Sequence, residues 1–413
     1  PSVPVRVSDA NGFVNGSVKQ ISAGGDHTCA VTTDDYVYCW GQNYDGYLGN
    51  GTTAASSVPV KVSDANGFVN GSVREVSAGV YNTCAVTTDG AAYCWGWNDE
   101  GQLGNNSTTD SSVPVQVKGV GGNGFLSGVT QISAGGTDSD GNGHMCALTT
   151  DSSGNTVYCW GSNQNGELGN STNAQSSVPV RVSDANGFVN GQVEQISAGS
   201  RFTCAVTTGN TVYCWGFNRN GQLGNGTSGG NANSAVPVEV VGVGGSGTLS
   251  EVVQVSASIG TAPKSNTKGS ACAVTVDGSA YCWGSNRSGQ LGNGGNPGPD
   301  DCKVTGDDCT TSPVQVLKGE QKSPSEVLSN VTQVSAGSAH TCTLTADRTA
   351  YCWGGNFSGQ LGIGTEGNLE GAKEPVKVFS PECSAFTDWT TAATEEGWSC
   401  TVDGTEYEYA DFH

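Results

Sequence analysis

CAVTTDGAAYCWGWNDEGQLGN, residues Cys84 to Asn105, reads as a β-hairpin followed by a glycine-rich exit. Cys84–Thr87 forms one strand and Tyr93-Cys94-Trp95 ends the return strand. Asp89-Gly90 between two runs of β-forming residues is a strong short-range hairpin signal. Cys84 and Cys94 flank that turn symmetrically, so they face each other across antiparallel strands. Opposed Cα atoms there stand about 4.5–5.5 Å apart, within disulfide reach.

Tyr-Cys-Trp-Gly recurs at Tyr38, Tyr93, Tyr158, Tyr213, Tyr281 and Tyr351, and successive motif Trp residues stand 55, 65, 55, 68 and 70 positions apart. A fixed unit with variable insertions marks a repeat fold whose loops absorb the length differences. The second repeat holds four strand-like pieces, Val58–Val62, Val73–Ala78, Thr83–Thr87 and Ala91–Trp95, which suits a propeller blade better than a solenoid coil. Pro59 and its equivalents Pro4, Pro114, Pro179, Pro237, Pro313 and Pro375 predict an edge strand, where a missing N–H is harmless. SVPVRVSDANGFVNG stands unchanged at Ser2 and Ser177 and with one Lys for Arg at Ser57, the mark of recent duplication.

After six full repeats, Glu374–His413 reads as a degenerate seventh, with Asp403-Gly404 over Asp89-Gly90 and Glu408 in place of the cysteine that would pair with Cys400. The expectation is one all-β domain over residues 1–413: a seven-bladed propeller of four-stranded, disulfide-stapled blades. The repeats fall near 1–55, 56–110, 111–175, 176–233, 234–310, 311–372 and 373–413.

Composition agrees with many short strands. Gly numbers 63, only 13% of residues are charged, and no stretch carries a 3.6-residue apolar period. The formal charge of −21, from 38 acidic against 17 basic residues, repels phosphate backbones and anionic lipid surfaces, which argues against nucleic acid as a partner. No stretch has the length and apolarity of a membrane span. The 16 cysteines fall mostly in C-x9-C pairs and lack metal-site spacing. The expected disulfides are Cys29–Cys39, Cys84–Cys94, Cys146–Cys159, Cys204–Cys214, Cys272–Cys282, Cys302–Cys309, Cys342–Cys352 and Cys383–Cys400. Disulfides require an oxidising compartment. With Pro1 first and no apolar leader, the chain reads as a mature secreted chain or a fragment of one, extracellular or on the cell surface.

The unit SAG…HTCAVTTDG…YCWGxNxxGxLG resembles the repeats of the regulator of chromosome condensation family, and more closely its cysteine-bearing form in secreted bacterial proteins. The exit motif is intact in all six full repeats, as in Trp95, Gly96, Asn98, Gly101, Leu103 and Gly104. The resemblance covers essentially the whole chain and implies a seven-bladed propeller. It implies no single function: the family includes an exchange factor for a small GTPase, a plant ultraviolet photoreceptor and a secreted inhibitor of β-lactamase.

No catalytic motif stands out, so the expectation is no enzyme and no catalytic residues. His27, His144 and His340 precede the first cysteine of their hairpins by two residues, where other repeats hold Asn82, Phe202 and Ser270; this marks a structural slot. Asp138-x-Asp140-x-Asn142-Gly143 has the oxygen spacing of a Ca2+ loop without an acidic closing residue at Thr149, and the same residues favour turns without an ion. Apart from that Ca2+, no cofactor is expected. Positions that vary among uniform repeats are where a propeller acquires specificity. One set follows Trp-Gly (Tyr44, Trp97, Phe217, Arg219, Arg287 and Phe357). Another precedes the third strand-like piece (Asp26, Tyr81, Arg201 and the loop Ile259–Gly269). Aromatics and Arg are favoured at binding hot spots. The expected function is a structural subunit of an extracellular assembly, in the extreme a filament, that contacts its own copies. The alternative is a monomeric secreted module that binds a protein or glycan, or inhibits an enzyme.

Overall fold

The computed structural model describes residues 3–14, 16–136, 141, 143–151, 154–260, 269–295, 302, 308–322, 325–365, 368–378, 399–402 and 405–408. Blade 1 shows how the repeat folds. Its strands β1 (Val18–Ala23), β2 (His27–Thr32), β3 (Val37–Gly41) and β4 (Ser56–Lys61) pair antiparallel in chain order. The β2–β3 turn closes on Asp35 in the left-handed region (φ 66°), a place taken by Gly90 in blade 2. The register sets Cys29 opposite Cys39, and all six motif hairpins carry the expected disulfide with Cα atoms 4.0–4.1 Å apart. Cys302–Cys309 is joined as well.

The same four-strand sheet recurs over Val73–Gln116, Val129–Arg181, Val193–Glu239, Val252–Gln315 and Val331–Lys377. The phase of the repeat follows from pairing. β4 binds the hairpin before it, with Cys39 opposite Val60, so each Ser-x-Val-Pro-Val stretch ends a blade. Pro59 therefore sits on the free edge, as expected of a residue without an N–H.

Adjacent blades pack through apolar faces. Cys29, Val31, Val37 and Cys39 of blade 1 share a core with Val73, Val76, Ala78, Ala85 and Trp95 of blade 2. Each later motif Trp is buried, and its indole N–H donates to the preceding blade's exit loop, as Trp160 does to the Gln102 carbonyl at 2.8 Å. A polar ladder joins the first strands. Gln20 donates to the Val76 carbonyl (3.2 Å) and accepts from the Val76 N–H (2.8 Å), so its amide stands in for a peptide group. Gln131, Gln195 and Gln254 make the same double contact with Ile196, Val255 and Val334. Ser22, Ser77, Ser133, Ser197 and Ser256 each accept the N–H of an alanine in the next blade.

The seven-blade expectation fails. The structure is a propeller of six four-stranded blades, and the C-terminal residues form a separate two-stranded sheet, Ser399–Val402 with Thr405–Glu408, that pairs with no other strand among the described residues. Pro375-Val376-Lys377, expected to open a seventh blade, is instead used as the outer strand of blade 6, with Cys352 opposite Val376. The strands described beyond it form a two-stranded hairpin, too small to bury a sheet face. Its register also sets Tyr407, not Glu408, opposite Cys400. The consequence shows on blade 1: Ile21 is 57% exposed, whereas its counterparts Val76, Ile132, Ile196, Val255 and Val334 are at most 2% exposed. On blade 6, Gln333 and Ser335, the next members of the ladder, are exposed. The expected pair Cys383–Cys400 involves Cys383, which lies outside the described residues.

Candidate functional site

The glycine-rich exits build a rigid frame on one side of the blades. In blade 2, Asn98 Oδ1 accepts the Leu103 N–H at 2.8 Å, and its Nδ2 donates to the carbonyls of Ser107 and Thr109 at 3.1 and 2.9 Å. Asn43, Asn163, Asn218, Asn286 and Asn356 accept the corresponding leucine N–H in their own loops. Gly104 (φ 64°) lies flat on the Trp160 indole, where a Cβ would come within 2.8 Å of Nε1. These residues hold the loop and leave the positions between them free to vary.

A second tie fixes which variable residues meet. The second residue after each motif Trp donates its N–H to the residue just before the second strand of its blade. The pairs are Gln42 with Asp26, Trp97 with Tyr81, Ser162 with Gly143, Phe217 with Arg201, Ser285 with Gly269 and Gly355 with Ala339, at 2.7–3.0 Å. Trp97 and Phe217 of the first set are thus paired with Tyr81 and Arg201 of the second. Tyr81 stands by Trp97 with ring centroids 6.0 Å apart, and the Arg201 guanidinium lies over the Phe217 ring at 5.9 Å. Tyr44, Arg219, Arg287 and Phe357 share a different position, the residue directly after the loop Asn. All four are exposed, Tyr44 by 72% and Phe357 by 45%.

At the junction of blades 1 and 2 the aromatic residues form a run. His27 stacks on Tyr47 (4.8 Å), Tyr47 on Tyr81 (6.4 Å) and Tyr81 on Trp97. Carboxylates surround it. Burial pushes the Tyr47 phenol up to about 12, with Asp26 and Asp45 adding to the rise and the Tyr44 backbone amide opposing it. The Tyr81 phenol is raised by burial and then by the same two carboxylates. Asp45 is itself raised, by burial and by the neighbouring charges of Asp110 and Asp99. Asp110 accepts the Asn98 N–H at 2.7 Å. Sequence reasoning missed the carboxylates, which are scattered from Asp26 to Asp110 and meet only where blade 1's exit loop crosses onto blade 2.

The histidines behave as packing residues. His27 and His144 are buried, with Nε2 on the hydroxyls of Thr83 (2.8 Å) and Thr203 (2.7 Å) in the following blade. Burial lowers them to about 3 and about 4, so both rings are neutral at physiological pH. Asp138, Asp140 and Asn142 lie outside the described residues. Among the described residues no cluster of three His, Cys, Asp or Glu side chains could hold a metal ion, and no helix is long and apolar enough to cross a membrane.

Comparison with known proteins agrees with this architecture. A model of the Regulator of chromosome condensation (RCC1) repeat matches residues 34–86, 89–139, 155–206, 210–260 and 277–344. The chain is similar to the ultraviolet-B receptor UVR8 of Arabidopsis thaliana, 30% identical over 387 residues, which cover 94% of this chain and 74% of the receptor. It is also similar to the E3 ubiquitin-protein ligase HERC2 of Homo sapiens, 28% identical over 338 residues, a match that spans 80% of this chain but 6% of the ligase. Among solved structures, human WBSCR16 superposes with a TM-score of 0.69 at 22% identity, covering 92% of this chain and 85% of that one. Prp20p of Saccharomyces cerevisiae, described with its binding to Gsp1p and histones, gives 0.67 at 22% identity over 88% and 77%. These two share the fold.

Proposed function

The chain belongs to the Regulator of chromosome condensation (RCC1) repeat family, and from that premise we propose that it is a non-catalytic, secreted propeller that binds another protein through its exit-loop face. One observation carries the reading: six blades hold the same backbone tie at 2.7–3.0 Å while the tied side chains range from Gly to Trp and Arg. Fixed backbone with free side chains is what a recognition surface on a repeat scaffold requires. Prp20p supplies a precedent for protein binding on this fold. Secretion rests on the seven disulfides, which persist in oxidising compartments.

A second reading, self-assembly, is favoured by the blade 1 surface around Ile21, which a second copy would cover. Sedimentation velocity separates the two. The binding module predicts one monomeric species up to about 100 μM, well above typical specific affinities. Concentration-dependent polymers that disappear on Ile21→Lys substitution would replace it with the assembly.

A further inference from the structure

We propose that the Tyr81–Trp97 pair of blade 2 is a docking site for an arginine side chain of a partner protein, with the rings receiving the guanidinium and Asp26, Asp45 and Asp99 meeting its charge. This rests on the binding reading above and gives it a ligand class.

The chain contains its own precedent. Blades 2 and 4 place their paired residues on the same backbone tie, Trp97 N–H to the Tyr81 carbonyl at 2.9 Å and Phe217 N–H to the Arg201 carbonyl at 2.8 Å. In blade 4 one member of the pair is a guanidinium that covers the other's ring. In blade 2 both members are aromatic. Among the described residues the cations that lie over rings are Lys61 on Tyr36, Lys118 on Phe125 and Arg201 on Phe217, and none of them lies over Tyr81 or Trp97.

Charge points the same way. Asp26 and Asp45 act on both Tyr47 and Tyr81, and Asp99 and Asp110 act on Asp45, yet none of the four has an ion-pair partner among the described residues. Uncompensated carboxylates beside π faces select an organic cation. A guanidinium, planar and weakly hydrated, stacks on such rings more readily than a compact ammonium.

The test is a Trp-fluorescence and calorimetric titration of the full chain with a Gly/Ser peptide bearing two arginines. Its citrulline analogue and free arginine run alongside. The expected result is saturable binding of the arginine peptide, weakened at least about ten-fold by citrulline and by Trp97→Ala, the scale of a desolvated cation–π contact. Asp45→Asn with Asp99→Asn, which alters no hydrogen bond seen in the structure, should weaken binding and flatten its salt dependence. Equal binding of the citrulline peptide overturns the guanidinium assignment. Free arginine binding as tightly as the peptide overturns the protein source. No binding by a chain that sediments as a monomer overturns this inference alone and leaves the binding module standing. Polymers dissolved by Trp97→Ala overturn both, since the face would then join copies of the chain.

Discussion

Blades 2 and 4 share the same strand order, the same disulfide and the same exit frame, and they contrast at one residue of the inter-blade ladder, one buried residue in the slot before the disulfide and the pair on the exit-loop face. The ladder residue is Glu75 in one and Gln195 in the other. The slot before the disulfide holds Asn82 against Phe202, and the face pair is Tyr81–Trp97 against Arg201–Phe217. In blade 4 Gln195 makes two bonds to Val255, Phe202 is apolar and buried, and Arg201 rests on Phe217. In blade 2 none of the corresponding groups is fully matched. Among the described residues Glu75 only accepts the Ile132 N–H, both amide atoms of Asn82 are buried without partners, and the aromatic pair lacks a cation. Local mismatch on a uniform scaffold is expected where function has displaced stability.

The largest effect expected is in blade 4. Gln195→Ala removes both bonds and leaves the Val255 N–H and C=O unpaired between blades, so urea denaturation should show a loss of about 2–3 kcal/mol. Glu75→Gln should move blade 2 toward blade 4 and stabilise the chain by about 1–2 kcal/mol at pH 7. Burial raises the Glu75 carboxyl to about 7, opposed by the Ile132 N–H and Arg74. The folded state therefore holds more protons than the unfolded state between that value and the ordinary carboxylate range. The native chain gains stability as pH falls through this window, and the Gln variant does not share the gain. Its advantage should shrink from pH 7.5 to about pH 5 in paired melts. An unchanged gap across that window would show that Glu75 does not titrate as described. The smallest effect is Asn82→Leu, a near-isostere that removes the unpaired amide opposite a blade whose corresponding residue is Met145 rather than Thr. A gain of about 1 kcal/mol is expected by calorimetry, and a loss would mean that a water or ligand serves Asn82.

Much of this fold is legible in the sequence because its signals are local. Asp89-Gly90 turns, paired cysteines ten positions apart and the edge prolines from Pro59 to Pro375 each depend on a few neighbouring residues, and the structure places them as expected, whereas Pro4, expected on an edge strand too, lies in no strand. The blade count is not local. Pro375-Val376-Lys377 alternates equally well whether it begins one sheet or ends another, and only its long-range pairing with Cys352 decides. Gln20 and its equivalents were also hidden, since polar residues alternating with apolar ones in VKQISA read as solvent-facing. Tyr81 and Trp97 stand 16 residues apart, yet the hairpin register sets Asn82 opposite Gly96, so the residues just beyond must be neighbours. Counting that register outward is the signal that finds the pair.

Giving blade 2 the pair of blade 4 tests the central claim most directly. Tyr81→Arg with Trp97→Phe supplies an internal guanidinium to the site on an unchanged backbone tie. Calorimetric titration with the arginine peptide, beside thermal melts of both proteins, reads the outcome. The account predicts binding reduced at least about ten-fold with the melting temperature held within about 2 °C. Undiminished peptide binding by a variant that melts like the native chain would contradict it.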